Sequence, residues 1–422
     1  MNNTIKILAL GISQSNFLNQ LYGDLRKKYD HYSFAIDNFF DISRGQLKND
    51  DSLYSNSYFF EKEKISRFES IKTFLNFSRE KLFWEVFYFE LSKGKTYKET
   101  YYFLRSMAYN KAIVERYILP LDFDVFHFHY CNPQNLRYLH FIPKGRKVVC
   151  SFWGSDLMRE TGIDNVFYVT KALQNADVIT VQNHELAEML YCKYGREQAK
   201  KTKIIQFTIH TEIYDKIDEL RNNQEKINDF KLKYHLPVNK TIIAVSHNAF
   251  RGNQLLEILT ELEKLSKPVK DRISVLLHLG YGREKKYLDE LSQFISESDL
   301  NIVEIHSYFG PEEMALLRLS TDIMIQMPIS DALSGAMTEI LYAGKQVYAG
   351  AWLPYGILRR NGVSFFEIDE HKKIPQSIED YFSRRESLIN QNKFNPDKIK
   401  NFLFPDKTTA DWNQLFHHLS IK

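Results

Sequence analysis

Strand and helix signals alternate along almost the whole chain. That is the pattern of a parallel sheet covered by helices, because parallel neighbours can be joined only through a long crossover. Apolar runs at residues 5–11, 124–129, 147–153 and 177–182 read as buried strands. Residues 183–194 follow as a helix and 203–209 as a closing strand. A second series opens with the strand 241–246 and the helix 253–265, then the strand 273–279 and the helix 284–296. It continues with strand 301–306, helix 311–319, strand 322–326, helix 335–343 and strand 346–349. At 422 residues the chain exceeds what one core usually supports. The expectation is an α/β chain of two Rossmann-like halves, 1–207 and 208–400, with the polar stretch 215–239 as an inter-domain segment. A helix within 401–422 is expected to pack back on the first half.

Composition narrows the function classes. A net charge of +3 argues against a dedicated nucleic-acid binder, which usually carries a concentrated basic stripe. The surplus is uneven: residues 1–205 hold 29 Lys+Arg against 23 Asp+Glu, and the remainder comes to minus three. Three cysteines, Cys131, Cys150 and Cys192, cannot all pair, and none stands in a CxxC spacing, so free thiols in a reducing compartment are expected. The apolar run at the N-terminus is too short for a secretory signal and reads as a first strand. No stretch approaches the roughly 20 apolar residues that cross a bilayer. The expected location is the cytoplasm, or the inner face of the cell membrane.

Residues 54–118 break the rhythm. They are rich in aromatics, carry 12 Lys+Arg against 8 Asp+Glu, and include LFWEVFYFEL at 82–91. Helices with one greasy and one basic face suit a membrane surface. An enlarged helical layer with aromatics in the core fits the same composition.

The sharpest chemical signal is PISDALSGAMTEILYAGKQV at 328–347. A strand ends before it, a helix starts near Ser334 and Gly335, and Glu339 falls about one turn inside. The free N–H groups of Gly335 and Ala336, with the helix dipole, form an anion site suited to a diphosphate. A carboxylate one turn in can accept hydrogen bonds from both hydroxyls of a ribose, and Asp331 can reach hydroxyls of a bound sugar. The place is the carboxyl end of a parallel strand, where open α/β sheets bind ligands.

This element resembles the acid-x7-Glu signature of family 4 glycosyltransferases with the GT-B fold, with Asp331 in place of the usual Glu and Ser334 where Gly is common. The resemblance implies two Rossmann-like domains facing each other across a cleft, and retaining transfer from a nucleoside-diphosphate sugar. A glycan or lipid-linked acceptor is implied, and neither a metal nor a further cofactor. It assigns Glu339 to the donor ribose, Asp331, Ser334, Gly335 and Ala336 to the transferred sugar, and Gly344 to the turn after the helix. The loop His247-Asn248-Ala249-Phe250-Arg251-Gly252 stands where the family clamps the diphosphate, with Arg251 as phosphate ligand or as a surface arginine. Gly280-Tyr281-Gly282-Arg283 borders the donor or is a plain turn, and Tyr308 lies in the segment that lines the base. DVFHFH at 124–129 resembles the family strand that brings a histidine to the sugar, so His129 is a sugar contact or a core imidazole. Trp153 and Asp156, in the Trp-Gly-Ser-Asp element, and Gly11 stand on the acceptor side. Asp122-Phe123-Asp124 is formally a metal motif but is accounted for by the strand it precedes. The same fold also serves a sugar epimerase or a catalytically silent membrane-surface partner.

Overall fold

The computed structural model describes residues 4–38, 52–282 and 284–420. The chain divides into two compact units, Met1–Thr208 with Thr408–Lys422, and Ile209–Lys407. Each is built on one parallel sheet, as the alternation predicts.

In the first unit the strands are β1 (Ile5–Leu10), β2 (Tyr32–Asp37), β3 (Tyr54–Tyr58), β4 (Val125–His129), β5 (Lys147–Ser151), β6 (Val178–Val181) and β7 (Thr202–Ile204). Their order is β3-β2-β1-β4-β5-β6-β7. β4 and β6 are buried along their whole length, because helices cover both faces. β2 and the helix Asn16–Lys28 are absent from the sequence reading. That helix is nevertheless well signalled: the Ser15 hydroxyl caps it by accepting the Leu18 N–H at 3.2 Å, and Leu18, Leu21, Tyr22 and Leu25 bury one face.

Residues 54–118 resolve into β3 at the sheet edge and the helices Arg67–Phe77, Lys81–Ser92 and Tyr97–Ile113. The segment is tied down at several points. Glu90 is fully buried and takes Lys93 at 3.0 Å, Lys95, and the hydroxyl of Tyr168 on the helix Ile163–Leu173. Phe89 stacks on Phe167 with ring centres 3.8 Å apart. A capping box of Thr96 and Glu99 starts the third helix.

The helix Pro405–Ser420 belongs to the first core from Thr408 onward. Trp412 is fully buried, stacks on Phe207 and Phe416, and donates its indole N–H to the Gln206 carbonyl at 2.8 Å.

The second unit holds β8 (Thr241–Val245), β9 (Ile273–His278), β10 (Ile302–Ile305), β11 (Ile323–Gln326), β12 (Gln346–Gly350) and β13 (Phe366–Ile368), in the order β10-β9-β8-β11-β12-β13. Apolar layers lie on both faces, one built on Ile258, Leu262 and Leu291, the other on Leu317, Met337 and Leu341. Residues 215–239 are not an inter-domain segment. They lie largely within the helices Thr211–Leu220 and Gln224–Lys233, whose Tyr214, Ile217, Leu220, Ile227 and Phe230 are buried in this unit. The polar composition that suggested a linker is the solvent side of these helices.

Trp412→Ala removes a fully buried indole and leaves the Gln206 carbonyl unpaired. We expect a loss of about 3–5 kcal/mol in urea denaturation, and a smaller loss for Trp412→Phe. A cost below about 1 kcal/mol for the alanine variant would contradict this packing.

Candidate functional site

In each sheet the winding reverses once. β8 has β9 on one side and β11 on the other, and β1 has β2 and β4. Loops leaving two such strands diverge, which opens a crevice at their carboxyl ends. In the second unit His247 and Asn248 follow β8, and Asp331 and Ser334 follow β11. In the first, Gly11 follows β1 and His129 ends β4.

The helix Gly335–Tyr342 begins at this crevice. Ser334 is its N-cap, with the hydroxyl accepting the Met337 N–H at 3.2 Å, so the serine serves the helix directly. The N–H groups of Gly335 and Ala336 make no hydrogen bond within the described chain, and Gly335 is exposed. The Glu339 carboxylate reaches back towards this end: a Cβ on Gly335 would lie 4.0 Å from its Oε1. Its Oε2 accepts from Nε of Arg318 at 2.9 Å. Arg318 stands on the helix Pro311–Ser320 and is almost wholly buried.

Asp331 accepts a hydrogen bond at 2.6 Å from the hydroxyl of Tyr355, which is fully buried. Trp352 donates its indole N–H to the Pro328 carbonyl at 2.8 Å, so the loop after β12 braces the loop after β11. Gly350 is needed here, since a Cβ would come within 2.6 Å of the Trp352 ring. Gln326, the last residue of β11, is fully buried, with its side-chain amide against the His247 ring and the Tyr355 hydroxyl.

On the β8 side, burial pushes the His247 imidazole down to about 4, and the nearby Arg318 charge and His278 ring add to it. His247 is therefore neutral at neutral pH, and Arg318 is the cation beside it. Asn248 is committed to its own loop: its side-chain oxygen accepts from the Phe250 N–H at 2.8 Å and from Asn253 at 2.6 Å. Arg251 does not join Glu339. It pairs with Glu290 at 2.8 Å and lies over the Tyr287 ring at 4.6 Å, on the helix Lys285–Glu297. The glutamate partner of Arg251 lies 39 positions away and cannot be read from the loop.

Gly280 lets two loops cross, since a Cβ there would meet the Ser307 carbonyl at 2.6 Å. Its neighbour His278 contacts the same carbonyl through Nε2 at 3.0 Å. Tyr308 follows β10 and is exposed. Arg283 lies outside the described residues.

In the first unit His129, read from the sequence as a sugar contact or a core imidazole, is fully buried. Its Nδ1 accepts from the Trp153 indole at 3.4 Å, and its Nε2 meets the Tyr22 hydroxyl at 2.8 Å. Tyr22 meets His127 Nδ1 at 3.0 Å, His127 Nε2 meets Ser151 at 2.7 Å, and Ser151 meets Thr180 at 2.6 Å. An indole N–H can only donate, so His129 carries its proton on Nε2 and every later bond in the relay takes its direction from that end. Burial holds His129 down to about 3.

Asp156 is likewise buried and accepts the N–H groups of Cys131 at 2.7 Å, Trp153 at 2.9 Å and Gly154 at 2.9 Å. It knots the loops after β4 and β5 together, and burial raises it to about 6. Gly11, with φ of 98°, packs against β4, where a Cβ would fall 2.4 Å from the His129 carbonyl. Trp153 is half-buried, and Phe17 stands exposed beside it with ring centres 5.4 Å apart. Asp124 accepts the Lys6 N–H at 2.8 Å and Asp122 pairs with the Lys6 ammonium at 2.8 Å. Among the described residues no group of three or more His, Cys, Asp or Glu side chains could hold a metal.

The sequence reading missed Arg318, Gln326, Tyr22 and the bracing role of Tyr355. The one available signal for Arg318 was an arginine inside the apolar helix run ALLRLS, and for Gln326 a glutamine closing the strand run IMIQ.

The fold is that of GT-B proteins. A glycosyltransferase from Rickettsia africae superposes with a TM-score of 0.70 at 14% identity, covering 99% of each chain. HepE from Anabaena, solved with UDP-glucose, gives 0.64 at 14% identity, covering 98% of this chain and 100% of that one. Sucrose-phosphate synthase from Thermosynechococcus elongatus gives 0.66 at 11% identity, covering 99% of each. No family model matches the chain, and no curated protein matches it by sequence.

The buried relay has a pH signature. Unfolding frees His129 from about 3 to the ordinary value near 6.5, so its contribution to stability is complete above pH 6.5 and is lost as pH falls. Between pH 7.5 and 5 that loss amounts to about 2 kcal/mol. His129→Gln, whose amide can still accept from Trp153 and donate to Tyr22, should lose about 2 kcal/mol less than the parent over this interval in urea denaturation. Parallel losses in the two proteins would show that the imidazole titrates normally.

Proposed function

We propose that the chain is a glycosyltransferase that binds a nucleoside-diphosphate sugar on its second unit and passes the sugar to a hydroxyl of a glycan or glycolipid. The observation that carries this reading is the group at the reversal of the second sheet: two unbonded N–H groups at a helix N-terminus, Glu339 one turn in, and the buried Arg318 guanidinium on that carboxylate. The amides and the guanidinium suit a diphosphate, and the carboxylate suits the two ribose hydroxyls. GT-B proteins solved with UDP and with UDP-glucose share the fold, which makes a uridine nucleotide the first ligand to try.

In this reading the transferred sugar lies against Asp331, held by Tyr355. Neutral His247 and the buried Gln326 beside it line the crevice further. The developing charge on the leaving diphosphate is met by dipoles and a cation already in place, so charge stabilisation and positioning provide most of the acceleration. Transfer proceeds with retention, as in the family 4 enzymes the signature resembles, and without a metal. The acceptor hydroxyl is bound on the first unit beside Trp153 and Phe17, and His129 acts by holding Trp153. The product belongs to a surface polysaccharide or glycoconjugate.

Isothermal titration with UDP, UDP-glucose and other nucleotide sugars tests the proposal. Saturable binding is expected, weakened at least about tenfold by Glu339→Gln and by Arg318→Ala, or about 1.4 kcal/mol each. Arg251→Ala should change affinity less than about threefold. Loss in Arg251→Ala with none in Arg318→Ala would return the phosphate to the β8 loop. Failure of the folded parent protein to bind any nucleotide or nucleotide sugar would remove the proposal.

A further inference from the structure

The helices Arg67–Phe77, Lys81–Ser92 and Tyr97–Ile113 bury one side and leave the other uncovered. On the first, Phe68, Ile71 and Leu75 form a stripe at helical spacing that is 78%, 63% and 56% exposed. On the second, Trp84 and Tyr88, four residues apart, are 48% and 64% exposed. On the third, Tyr97, Tyr101 and Tyr102 are exposed. Ring contacts pack the three helices against one another beneath these residues: Tyr101 meets Phe74 at 5.5 Å, Phe74 meets the buried Phe83 at 5.6 Å, Phe83 meets Trp84 at 5.4 Å, and Phe87 meets both Trp84 at 5.7 Å and Tyr97 at 6.3 Å. An apolar surface of this kind on a folded protein marks a contact.

Its charge selects the occupant. Arg67, Lys72, Arg79, Lys98 and Arg105 stand exposed on the same three helices or at their ends, outside the ion pairs that join Lys81 to Glu85 and Arg116 to Glu69. The exposed acid of the third helix, Glu99, is used in the capping box at Thr96. A second copy of the chain placed face to face would bring like charges together. Trp and Tyr, with polar edges on apolar rings, are the aromatics that settle at headgroup depth, and unpaired Lys and Arg are drawn to anionic headgroups. No helix among the described residues is long and apolar enough to cross a membrane, so the chain would lie on the surface without spanning it.

We infer that this three-helix face is a docking surface for an anionic lipid bilayer, with Phe68, Ile71, Leu75 and Trp84 entering the interface and Lys72, Lys98 and Arg105 on the headgroups. The face is rigid before binding, because Glu90 with Lys93, Lys95 and Tyr168 fixes the middle helix to the body of the unit. Docking therefore costs little ordering entropy. The inference is independent of the donor site and stands or falls without it.

Co-sedimentation of the full chain with vesicles tests it, using phosphatidylcholine alone and phosphatidylcholine with phosphatidylglycerol. We expect binding to the anionic vesicles, a blue shift of tryptophan emission that Trp84→Phe removes, and little binding to the zwitterionic ones. Phe68→Ser with Ile71→Ser and Leu75→Ser should weaken partitioning at least about tenfold. Lys72→Glu with Lys98→Glu and Arg105→Glu should weaken it at least as much, at about fivefold per charge. Circular dichroism and nucleotide titration of these variants should match the parent, which separates loss of docking from loss of fold or of the donor site. Equal binding to both vesicle types, unchanged binding of the charge-reversed variant, or self-association through this face without lipid would each overturn the inference.

Discussion

A parallel sheet that winds outward from a central strand in both directions must leave its carboxyl edge open where the direction changes. Both units of this chain are built that way, around β1 and β4 in one and β8 and β11 in the other. The constraint shows in the backbone. Tyr130, directly after β4, and Ser246, directly after β8, both take φ of 55°, a left-handed conformation uncommon for residues with a side chain. Such conformations cost about 1–3 kcal/mol each and survive only where the surroundings hold them. Asp156, clamped on Cys131, Trp153 and Gly154, holds the first. The backbone bond from Ser246 N–H to the Ile325 carbonyl at 2.9 Å holds the second.

The two crevices so formed differ in charge. Behind the first lies a relay of imidazoles and hydroxyls kept neutral by burial, capped by the half-buried Trp153 and bordered by Phe17. Around the second stand a guanidinium, a carboxylate and the positive end of a helix, with His247 neutral because burial and the Arg318 charge both oppose its protonation. An aromatic-rimmed crevice backed by neutral imidazoles and one that holds a guanidinium, two carboxylates and a helix N-terminus suit unlike ligands, which is the division of labour that the proposed reaction asks for.

Strand and helix alternation carried most of this architecture. The runs that became β4, β5, β8, β9 and β11 were visible because parallel strands buried on both faces read as unbroken apolar stretches. β3 was not visible, since an edge strand reading YSNSY is largely exposed and carries no such stretch. The helices at 211–233 hid behind their charged faces. Local structure that depends on one loop and its helix was legible, as with the helix start at Ser334 and Gly335 and the place of Glu339 one turn in. Whatever depends on pairing across the fold was not. Arg251 and Arg318 differ in nothing that sequence spacing reveals, and only the fold decides that one meets Glu290 and the other Glu339. The same holds for His129: strand periodicity gives the face a residue occupies, but not that Trp153 and Tyr22, brought in from elsewhere, pack over it.

That pairing is also why the proposed donor site gives Arg318 the larger part. Arg251 is 45% exposed, and its surface ion pair is screened by solvent and adds little to stability. Arg318 and Glu339 are only 7% and 12% exposed, so removing one leaves the other poorly solvated and unpaired. In the proposed reaction a diphosphate and a ribose would arrive together, the first bringing negative charge to the guanidinium and the second bringing hydroxyl donors to the carboxylate. Each buried ion would keep a partner before, during and after binding. The guanidinium fork is held in place beforehand, and little rotamer freedom remains to be lost when the ligand arrives. A loop arginine on the surface lacks this advantage, because it must leave its own glutamate and order its side chain before it can hold a phosphate.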